Sequence, residues 1–141
     1  MEDEIMFRSS CPISSALDIV GDKWSLLIIR DILFAGKKTF GDFAQSPEKI
    51  ATNILSNRLQ MLEQCGIINK EKLPGNKKTN IYSLTRRGQE LLPILMEIAI
   101  WSDNHLNDHL KDGAKPMVSR FKSDKETFIK NMYNRLEGES E

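Results

Sequence analysis

The sequence lacks several features that would place it in common functional classes. It has two cysteines in 141 residues, too few and too widely separated for a disulfide framework or a paired-cysteine metal knuckle. No uninterrupted apolar run approaches the roughly 18 residues that a membrane span needs. The acidic start MEDEIMF also lacks the basic and then apolar pattern of a secretory signal. We therefore expect a cytoplasmic protein without membrane contact, whose cysteines remain thiols.

The chain also lacks net charge, having 20 basic and 20 acidic residues. Their distribution is uneven: residues 1–36 carry 3 basic and 6 acidic groups, residues 37–88 carry 10 and 4, and residues 89–141 carry 7 and 10. The central segment thus has a charge of +6 between flanks of −3 each. Since charges act within a Debye length of about 8 Å, this segment can attract a polyanion although the whole chain is neutral.

Motifs for catalysis and cofactor binding are missing as well. We find no nucleophile elbow, no phosphate-binding loop and no pair of carboxylates in an apolar run, so we expect neither an enzyme nor a cofactor. The segment HLNDH places His105 and His109 one helical turn apart, a spacing that a divalent metal could use. Because the catalytic glutamate of such motifs is absent, we favour a solvated helix face without metal.

Helical patterns occupy the first half of the chain. Pro12 opens a first helix that closes at Gly21, and a second, strongly apolar helix extends from a cap at Asp22 to Gly36. TFGDFAQ predicts a third helix of about two turns, which SPEK ends because a residue before proline avoids helical geometry. A fourth helix should run from about residue 50 to residue 65. Its expected buried stripe consists of Ile54, Leu55, Leu59 and Leu62.

Beyond residue 66 the pattern changes to alternation. Two predicted strands surround PGNKKTN, which we interpret as a hairpin loop rich in glycine, asparagine and lysine. Thr85 can cap a long helix that Pro93 should bend unless a local break contains it. KDGAKPMVSRFKS looks loose, and a capping box from Ser123 to Glu126 then begins a last helix with an apolar stripe. The predicted fold is mainly α with a small β-hairpin, in the order of a winged helix-turn-helix.

The outward positions of the fourth helix carry short, uncharged polar groups, where a solvated face usually has Lys and Glu. Amide side chains read adenine edges and hydroxyls bond base edges or phosphates, so such a face suits a major groove. A chance run of polar residues on a solvated helix is the plain alternative. The candidate base-contacting residues are Thr52, Asn53, Ser56, Asn57 and Gln60.

Lysines accompany this face on the predicted hairpin. Lys77 and Lys78 lie at its tip, where they can neutralise the phosphates beside the groove. Lys70 and Lys72 on the first strand can do the same, or can simply protect an exposed strand edge from pairing with another chain. We take Lys77 and Lys78 as the candidate phosphate contacts of the hairpin.

Three arginines are harder to assign. Arg86 and Arg87 stand in the first turn of a helix, where the macrodipole disfavours cations, so a phosphate or a neighbouring acidic side chain should compensate. We keep both as candidate phosphate contacts. Arg58 lies at the margin of the buried stripe, where an ion pair with Asp42 or Glu63 explains it at least as well as a phosphate.

A series of landmarks resembles the HxlR-type winged helix-turn-helix regulators of bacteria over roughly residues 11–103. They are ALDIVGDKWSLLIIRDIL, FGDF, ILSNRLQMLEQCGII, YSLTRRGQELLPIL and Trp101. The resemblance implies a homodimeric transcription factor with a recognition helix at 50–65 and a wing at 67–84. It further implies a DNA-binding core at 22–88, dimerisation helices at 1–21 and 89–141, and a double-stranded DNA operator with two related half-sites.

The resemblance also draws attention to the cysteines. Some relatives sense oxidants or electrophiles through a cysteine near the N-terminus, and Cys11 in SSCPI falls at the matching position. A helix N-terminus favours the thiolate, so Cys11 is a candidate redox sensor for an oxidant or a small-molecule effector. A plain structural thiol is nevertheless the favoured interpretation of Cys11, because the sequence identifies no basic partner for it, and Cys65 is expected to pack.

The leading hypothesis is a dimeric, sequence-specific DNA-binding regulator. An apolar stripe on the last helix, which a small domain cannot easily cover alone, also favours a homodimer. The alternative from another class is a winged-helix module that binds protein through the same surface and does not bind DNA. Salt dependence of duplex binding distinguishes the two hypotheses.

Overall fold

The computed structural model describes residues 5–110 and 114–140, and the chain forms two compact units that divide between Gln89 and Glu90. Among the described residues, the first unit contains α1 (Pro12–Val20), α2 (Ser25–Ala35), α3 (Phe40–Ala44), α4 (Thr52–Gln64), β1 (Ile68–Leu73), β2 (Asn76–Leu84) and α5 (Arg86–Gln89). The second unit contains α6 (Leu92–His105), α7 (Lys115–Ser123) and α8 (Lys125–Ser140). Since β1 and β2 pair antiparallel, the predicted class, mainly α with a small β-hairpin, is confirmed. No described helix is long and apolar enough to cross a membrane.

The second helix is strongly buried, as predicted, but it begins later than expected. Ile29 and Leu33 are completely buried on α2. The N-cap position belongs to Trp24, whereas the Asp22 carboxylate accepts hydrogen bonds from the backbone N–H groups of Trp24 and Ser25 at 2.9 and 3.0 Å. Asp22 and Lys23 are not helical. From two residues before the N-cap, the Asp22 side chain therefore accepts hydrogen bonds from backbone N–H groups that have no partner within the helix.

A polar network ties α2 to the turn before α4. Asp31, only 5% exposed, accepts hydrogen bonds from Ser46 Oγ at 2.5 Å and from Lys37 Nζ at 3.5 Å. Arg30 donates to both carboxylate oxygens of Glu48 at 2.7 and 2.8 Å. Asp31 and Ser46 are buried, and buried polar groups specify one arrangement because each needs its partner. The network therefore fixes where the chain enters α4.

The α3 helix has five residues and is shorter than the two turns expected. As predicted, Thr39 is the N-cap of this helix, and its side chain forms a reciprocal capping box with Asp42. Phe43 is buried beneath it, and its ring meets Tyr82 of β2 edge to face, with centroids 6.1 Å apart. The α3 helix is thereby held between the turn and the hairpin.

The buried stripe of α4 is confirmed at Leu55, Leu59 and Leu62 but is wrong at Ile54, which is 37% exposed. Successive helix residues differ by about 100° in direction, so Ile54 and Leu55 cannot both face the same core. The helix ends at Gln64, and Gly66 follows with a φ of +75°, which allows the backbone N–H of Ile67 to bond the Leu62 carbonyl at 2.9 Å. This reversal sends the chain directly into β1.

The hairpin has a tighter turn than the sequence pattern predicted. Only Pro74 and Gly75 lie between the strands, and NKKTN belongs to β2 rather than to a loop. The register is irregular there, since Leu73 pairs with Asn76 while Lys72 pairs with Asn80. The intervening residues form a bulge, which extends the strand pattern close to the tip.

The helix predicted around Pro93 is broken rather than bent. The chain leaves helical geometry at residues 90 and 91, and α6 begins with Leu92. The expectation that 111–123 is loose is wrong for 115–123, which form α7 with Val118 and Phe121 buried; residues 111–113 lie outside the described residues. The predicted cap at Ser123 is also wrong, since that residue still belongs to α7.

Two further expectations concern the second unit, namely the spacing of His105 and His109 and the apolar stripe of the last helix. The α6 helix ends at His105, so His109 is not one helical turn away, and no metal-binding group of three His, Cys, Asp or Glu side chains occurs among residues 5–110 and 114–140. The apolar stripe of α8 is mostly covered by its own chain, since Met132 and Leu136 are buried and the Phe128 ring packs on Phe121.

Candidate nucleic-acid interface

The five candidate base-contacting residues lie on α4 and are all exposed. They are Thr52, Asn53, Ser56, Asn57 and Gln60. They recur at helical spacing on the side opposite the buried leucines, so one surface presents them together. Ala51 at the N-cap makes no side-chain bond, which leaves the first backbone N–H groups of α4 without a side-chain cap.

Ile54 is a further exposed residue of this helix that the sequence reasoning missed. Its spacing from the leucines places it in the predicted buried stripe, yet its side chain is 37% exposed and is available to a partner. An apolar side chain among polar ones is the group that contacts the methyl of thymine in a major groove. A helical wheel alone would have shown it between the buried stripe and the polar face.

Arg58 forms a different ion pair from the two expected. Its Nη1 lies 3.4 Å from Asp22 Oδ1. The Asp42 carboxylate instead accepts hydrogen bonds from the backbone N–H groups of Lys38 and Thr39. Burial opposes ionisation of Asp22, but hydrogen bonds from Ser25 and the backbone outweigh it, and Arg58 adds attraction, so the pKa of this carboxyl is lowered. Arg58 also donates to the side chain of Asn57, so these contacts link the start of α2 to the face of α4.

A polar cleft of about 390 Å³ separates the α4 face from the hairpin. Ser56 and Gln60 line one side, and Lys70 and Asn80 line the other. Lys70 Nζ lies 3.6 Å from Glu63 Oε1, a partly exposed pair that salt screens easily. The cleft places the polar face of α4 beside the basic strand, so these two parts of the predicted site are brought together.

Lys77 and Lys78 are exposed near the hairpin tip, although they belong to β2 and not to a loop. Hydrogen bonds within the tip order the backbone around them: the Lys78 N–H donates to Asn76 Oδ1 at 3.1 Å, and Asn76 Nδ2 donates to Thr79 Oγ1 at 3.0 Å. The two ammonium groups are therefore carried on an ordered backbone while their side chains face water.

Arg86 and Arg87 are both exposed on α5. Arg87 Nη1 donates to the Cys65 carbonyl at 2.8 Å, so the group that compensates its charge is a carbonyl at the end of α4 and not an acidic side chain. A cation at a helix C-terminus is favoured by the macrodipole, which explains the contact without a phosphate. Arg87 therefore helps to join α5 to α4, and its remaining donors stay available to a further partner.

The two cysteines lie in opposite environments. Cys11 is exposed and occupies the N-cap of α1, directly before Pro12. Cys65 is only 5% exposed, and burial raises the pKa of its thiol against the opposing charges of Arg87 and Arg58. Only the Cys11 thiol is thus open to reagents in solution, and the expectation that Cys65 packs is confirmed.

Comparisons with known proteins agree with this arrangement. A model of the HxlR-like helix-turn-helix family matches residues 19–110. An uncharacterised HTH-type transcriptional regulator of Synechocystis is 38% identical over 86 residues, which are 61% of this chain and 63% of that protein. YodB of Bacillus subtilis, an HTH-type transcriptional regulator, is 33% identical over 99 residues, or 70% of this chain and 88% of YodB.

Solved structures give the same result. The reduced form of YodB from B. subtilis superposes with a TM-score of 0.56 and 32% identity, covering 69% of this chain and 95% of that chain. The redox regulator HypR in its oxidised form gives a TM-score of 0.60 and 30% identity, covering 67% and 97%. YodB has also been solved in a quinone-bound form. From its sequence match and its fold together, this chain belongs to the HxlR-like helix-turn-helix family.

Proposed function

We propose that the protein is a sequence-specific transcriptional regulator that binds double-stranded operator DNA in the bacterial cytoplasm. The α4 helix enters the major groove, where Thr52, Asn53, Ser56, Asn57 and Gln60 contact base edges. The observation that carries this proposal is the exposed, uncharged face of α4, which continues across the polar cleft to the basic hairpin. Bases can replace water on that face without leaving a buried charge unpaired.

The phosphate contacts follow from the positions of the cations. Lys77 and Lys78 reach the backbone from the hairpin tip, and Arg86 and Arg87 reach it from α5. Such contacts set affinity and orientation but carry no sequence information, which the α4 face supplies. The division of labour explains why a neutral chain concentrates a charge of +6 between residues 37 and 88.

The salt dependence of duplex binding tests this function. We expect the logarithm of the association constant to fall linearly with the logarithm of the salt concentration, with a slope of about −0.9 for each phosphate neutralised. Fluorescence anisotropy with a labelled duplex from the DNA next to the protein's own promoter measures it, with a scrambled duplex as control. Binding without salt dependence, or no binding to any duplex, would favour the protein-interaction module instead.

A homodimer with the DNA-binding core at 22–88 and dimerisation helices at 1–21 and 89–141 is part of the proposal. Apolar side chains exposed on the helices of these flanks support it: Ile13 is 71% exposed on α1, and Trp101 is 57% exposed on α6 beside Ile94 and Ile98. A second copy would bury them and would present two recognition helices to two related half-sites. A monomer at micromolar concentration in analytical ultracentrifugation would contradict this part.

Cys11 is proposed as the site at which an oxidant or an electrophile alters DNA binding. The exposed thiol at the start of α1, together with the oxidised and quinone-bound states known for HypR and YodB, supports this role. In a reaction with a quinone, the Cys11 sulfur would add to a ring carbon and its proton would pass to the reduced ring. No further oxidant is needed for that step.

We expect a quinone to change operator affinity by about tenfold or more in the wild type, a coupling of about 1.4 kcal/mol. The Cys11→Ser variant should keep its affinity unchanged by the reagent, whereas Cys65→Ala should respond like the wild type because Cys65 is buried. Anisotropy before and after treatment measures both. An undiminished response of Cys11→Ser would remove Cys11 from the proposal.

A further inference from the structure

The side chain of Asn57 is held in one orientation by its neighbour. Arg58 donates from Nε and Nη2 to Asn57 Oδ1, at 3.2 and 2.7 Å. A guanidinium has donors only, so the atom that faces it must be the amide oxygen and cannot be exchanged for the nitrogen. An amide oxygen has two lone pairs, and these two bonds use both of them. Asn57 is left with its two N–H groups for any partner outside the chain.

Arg58 is itself fixed from the opposite side. Its Nη1 lies 3.4 Å from Asp22 Oδ1, and Asp22 is anchored by the backbone N–H groups of Trp24 and Ser25 and by Ser25 Oγ at 2.6 Å. Both members of the ion pair are mostly buried, with side-chain exposures of 21% and 27%. A chain of contacts thus extends from the first turn of α2 to the outer face of α4, and Asn57 is its last member.

Occupation of Oδ1 changes what Asn57 can read. A free asparagine recognises adenine with two bonds, donating to N7 and accepting from N6. Without a free acceptor, only the donor half of that pattern remains. Guanine offers two acceptors, N7 and O6, whereas adenine offers one acceptor and a donor that would meet the Asn57 donor.

We propose that Arg58 is a positioning residue that makes Asn57 a donor-only reader with a preference for guanine over adenine. The proposal rests on the proposed function, because it specifies how one residue of the α4 face discriminates between bases. It assigns the specificity to a residue pair that neither the family match nor the motif spacing identifies. Arg58 contributes through Asn57 and Asp22 and needs no phosphate of its own.

The first experiment locates the base pair. A panel of operator duplexes with every single base-pair substitution is titrated with the wild type and with Asn57→Ala, and circular dichroism confirms that the variant is folded. We expect the variant to lose discrimination at one base pair per half-site. At that base pair the wild type should prefer guanine over adenine by about tenfold, within the 1–3 kcal/mol typical of a specific base contact.

The second experiment frees the oxygen of Asn57. Arg58→Met keeps an apolar stem but removes the donors, so the guanine preference should vanish or reverse toward adenine while discrimination at other base pairs is kept. Asp22→Asn retains a capping side chain and removes the charge that holds Arg58. Its preference for guanine should therefore lie between those of the wild type and Arg58→Met. Arg120→Met removes an arginine of α7 and controls for loss of positive charge.

Several results would overturn the proposal. They are a wild-type preference for adenine at the Asn57-dependent base pair, an unchanged preference in both Arg58→Met and Asp22→Asn, or no base pair that depends on Asn57. In each of these cases specific duplex binding remains, so the proposed function stands, and the last result removes only Asn57 from its base contacts. Absence of binding to any duplex by the wild type would overturn the proposed function and this inference together.

Discussion

Gly88→Ala should destabilise the first unit by about 3 kcal/mol, at the upper end of what overpacking usually costs. A Cβ at this position would lie 2.2 Å from the Ile67 carbonyl oxygen and 3.0 Å from Leu84 Cδ2. The carbonyl cannot move aside easily, because it accepts hydrogen bonds from Thr85 N–H at 3.0 Å and Thr85 Oγ1 at 3.1 Å. The glycine lets α5 lie directly on the start of β1, so an added methyl must separate them.

Urea unfolding measures this effect, with the fluorescence of Trp24 as the signal of the first unit in a Trp101→Phe background. Gly41→Ala is the matched control, because it lies in α3 of the same unit and the added Cβ would meet no atom closer than Thr39 Oγ1 at 3.9 Å. Replacing a helical glycine by alanine should stabilise by about 0.5–1 kcal/mol where the methyl has room. Equal midpoints for Gly88→Ala and the wild type would show that α5 does not contact β1 as described.

Asn53→Ala combined with Ser56→Ala should lower the affinity for operator DNA about 100-fold and leave the affinity for a scrambled duplex nearly unchanged. Each specific base contact contributes about 1–3 kcal/mol, and both side chains are exposed on α4 and contribute nothing to its core. The ratio of the two affinities is therefore the quantity to measure. The ratio of operator affinity to scrambled-duplex affinity should fall by about 100-fold, while the salt slope keeps its wild-type value.

Lys77→Ala combined with Lys78→Ala is the complementary variant. Loss of two phosphate contacts should weaken binding to operator and scrambled duplexes alike and should reduce the salt slope by about 0.9 for each lysine. Anisotropy titrations at several salt concentrations separate the two patterns. If the α4 variant changed only the salt slope, or the lysine variant only the affinity ratio, the assignment of base and phosphate contacts would be wrong.

The sequence predicted those parts of the fold that local chemistry decides. Pro12 and Gly21 mark α1, Thr39 caps α3, and Gly66 ends α4, because each terminus depends on one residue and its neighbours. The polar face of α4 was found for the same reason, since helical spacing alone puts its residues on one side. These predictions needed no knowledge of the rest of the chain.

The predictions that failed depend on packing. The α7 helix forms around Val118 and Phe121, whose burial outweighs a polar, proline-containing sequence that looks loose. The partner of Arg58 is Asp22, which is 36 positions away, and no spacing rule connects them. Likewise, the carbonyl of Cys65 compensates Arg87 only because the hairpin brings α5 back to the end of α4.

For the candidate site, the sequence predicts which residues share one surface but not the contacts that their side chains make. Spacing identified Asn57 as a candidate base contact, yet it could not show that Arg58 occupies its oxygen, because neighbouring residues on a helix do not usually face each other. Similarly, lysines were expected in a loop, and a bulged strand carries them instead. Both differences alter which chemical groups the surface presents.

Directed cleavage of bound DNA tests the central claim, that the uncharged face of α4 lies against bases. An iron chelate is attached to Asn53→Cys in a Cys11→Ser background, and Asn131→Cys on α8 serves as the control. The account predicts cuts confined to the major groove of each half-site from position 53, and no localised cuts from position 131. Diffuse cleavage from position 53, or localised cleavage from position 131 alone, would contradict it.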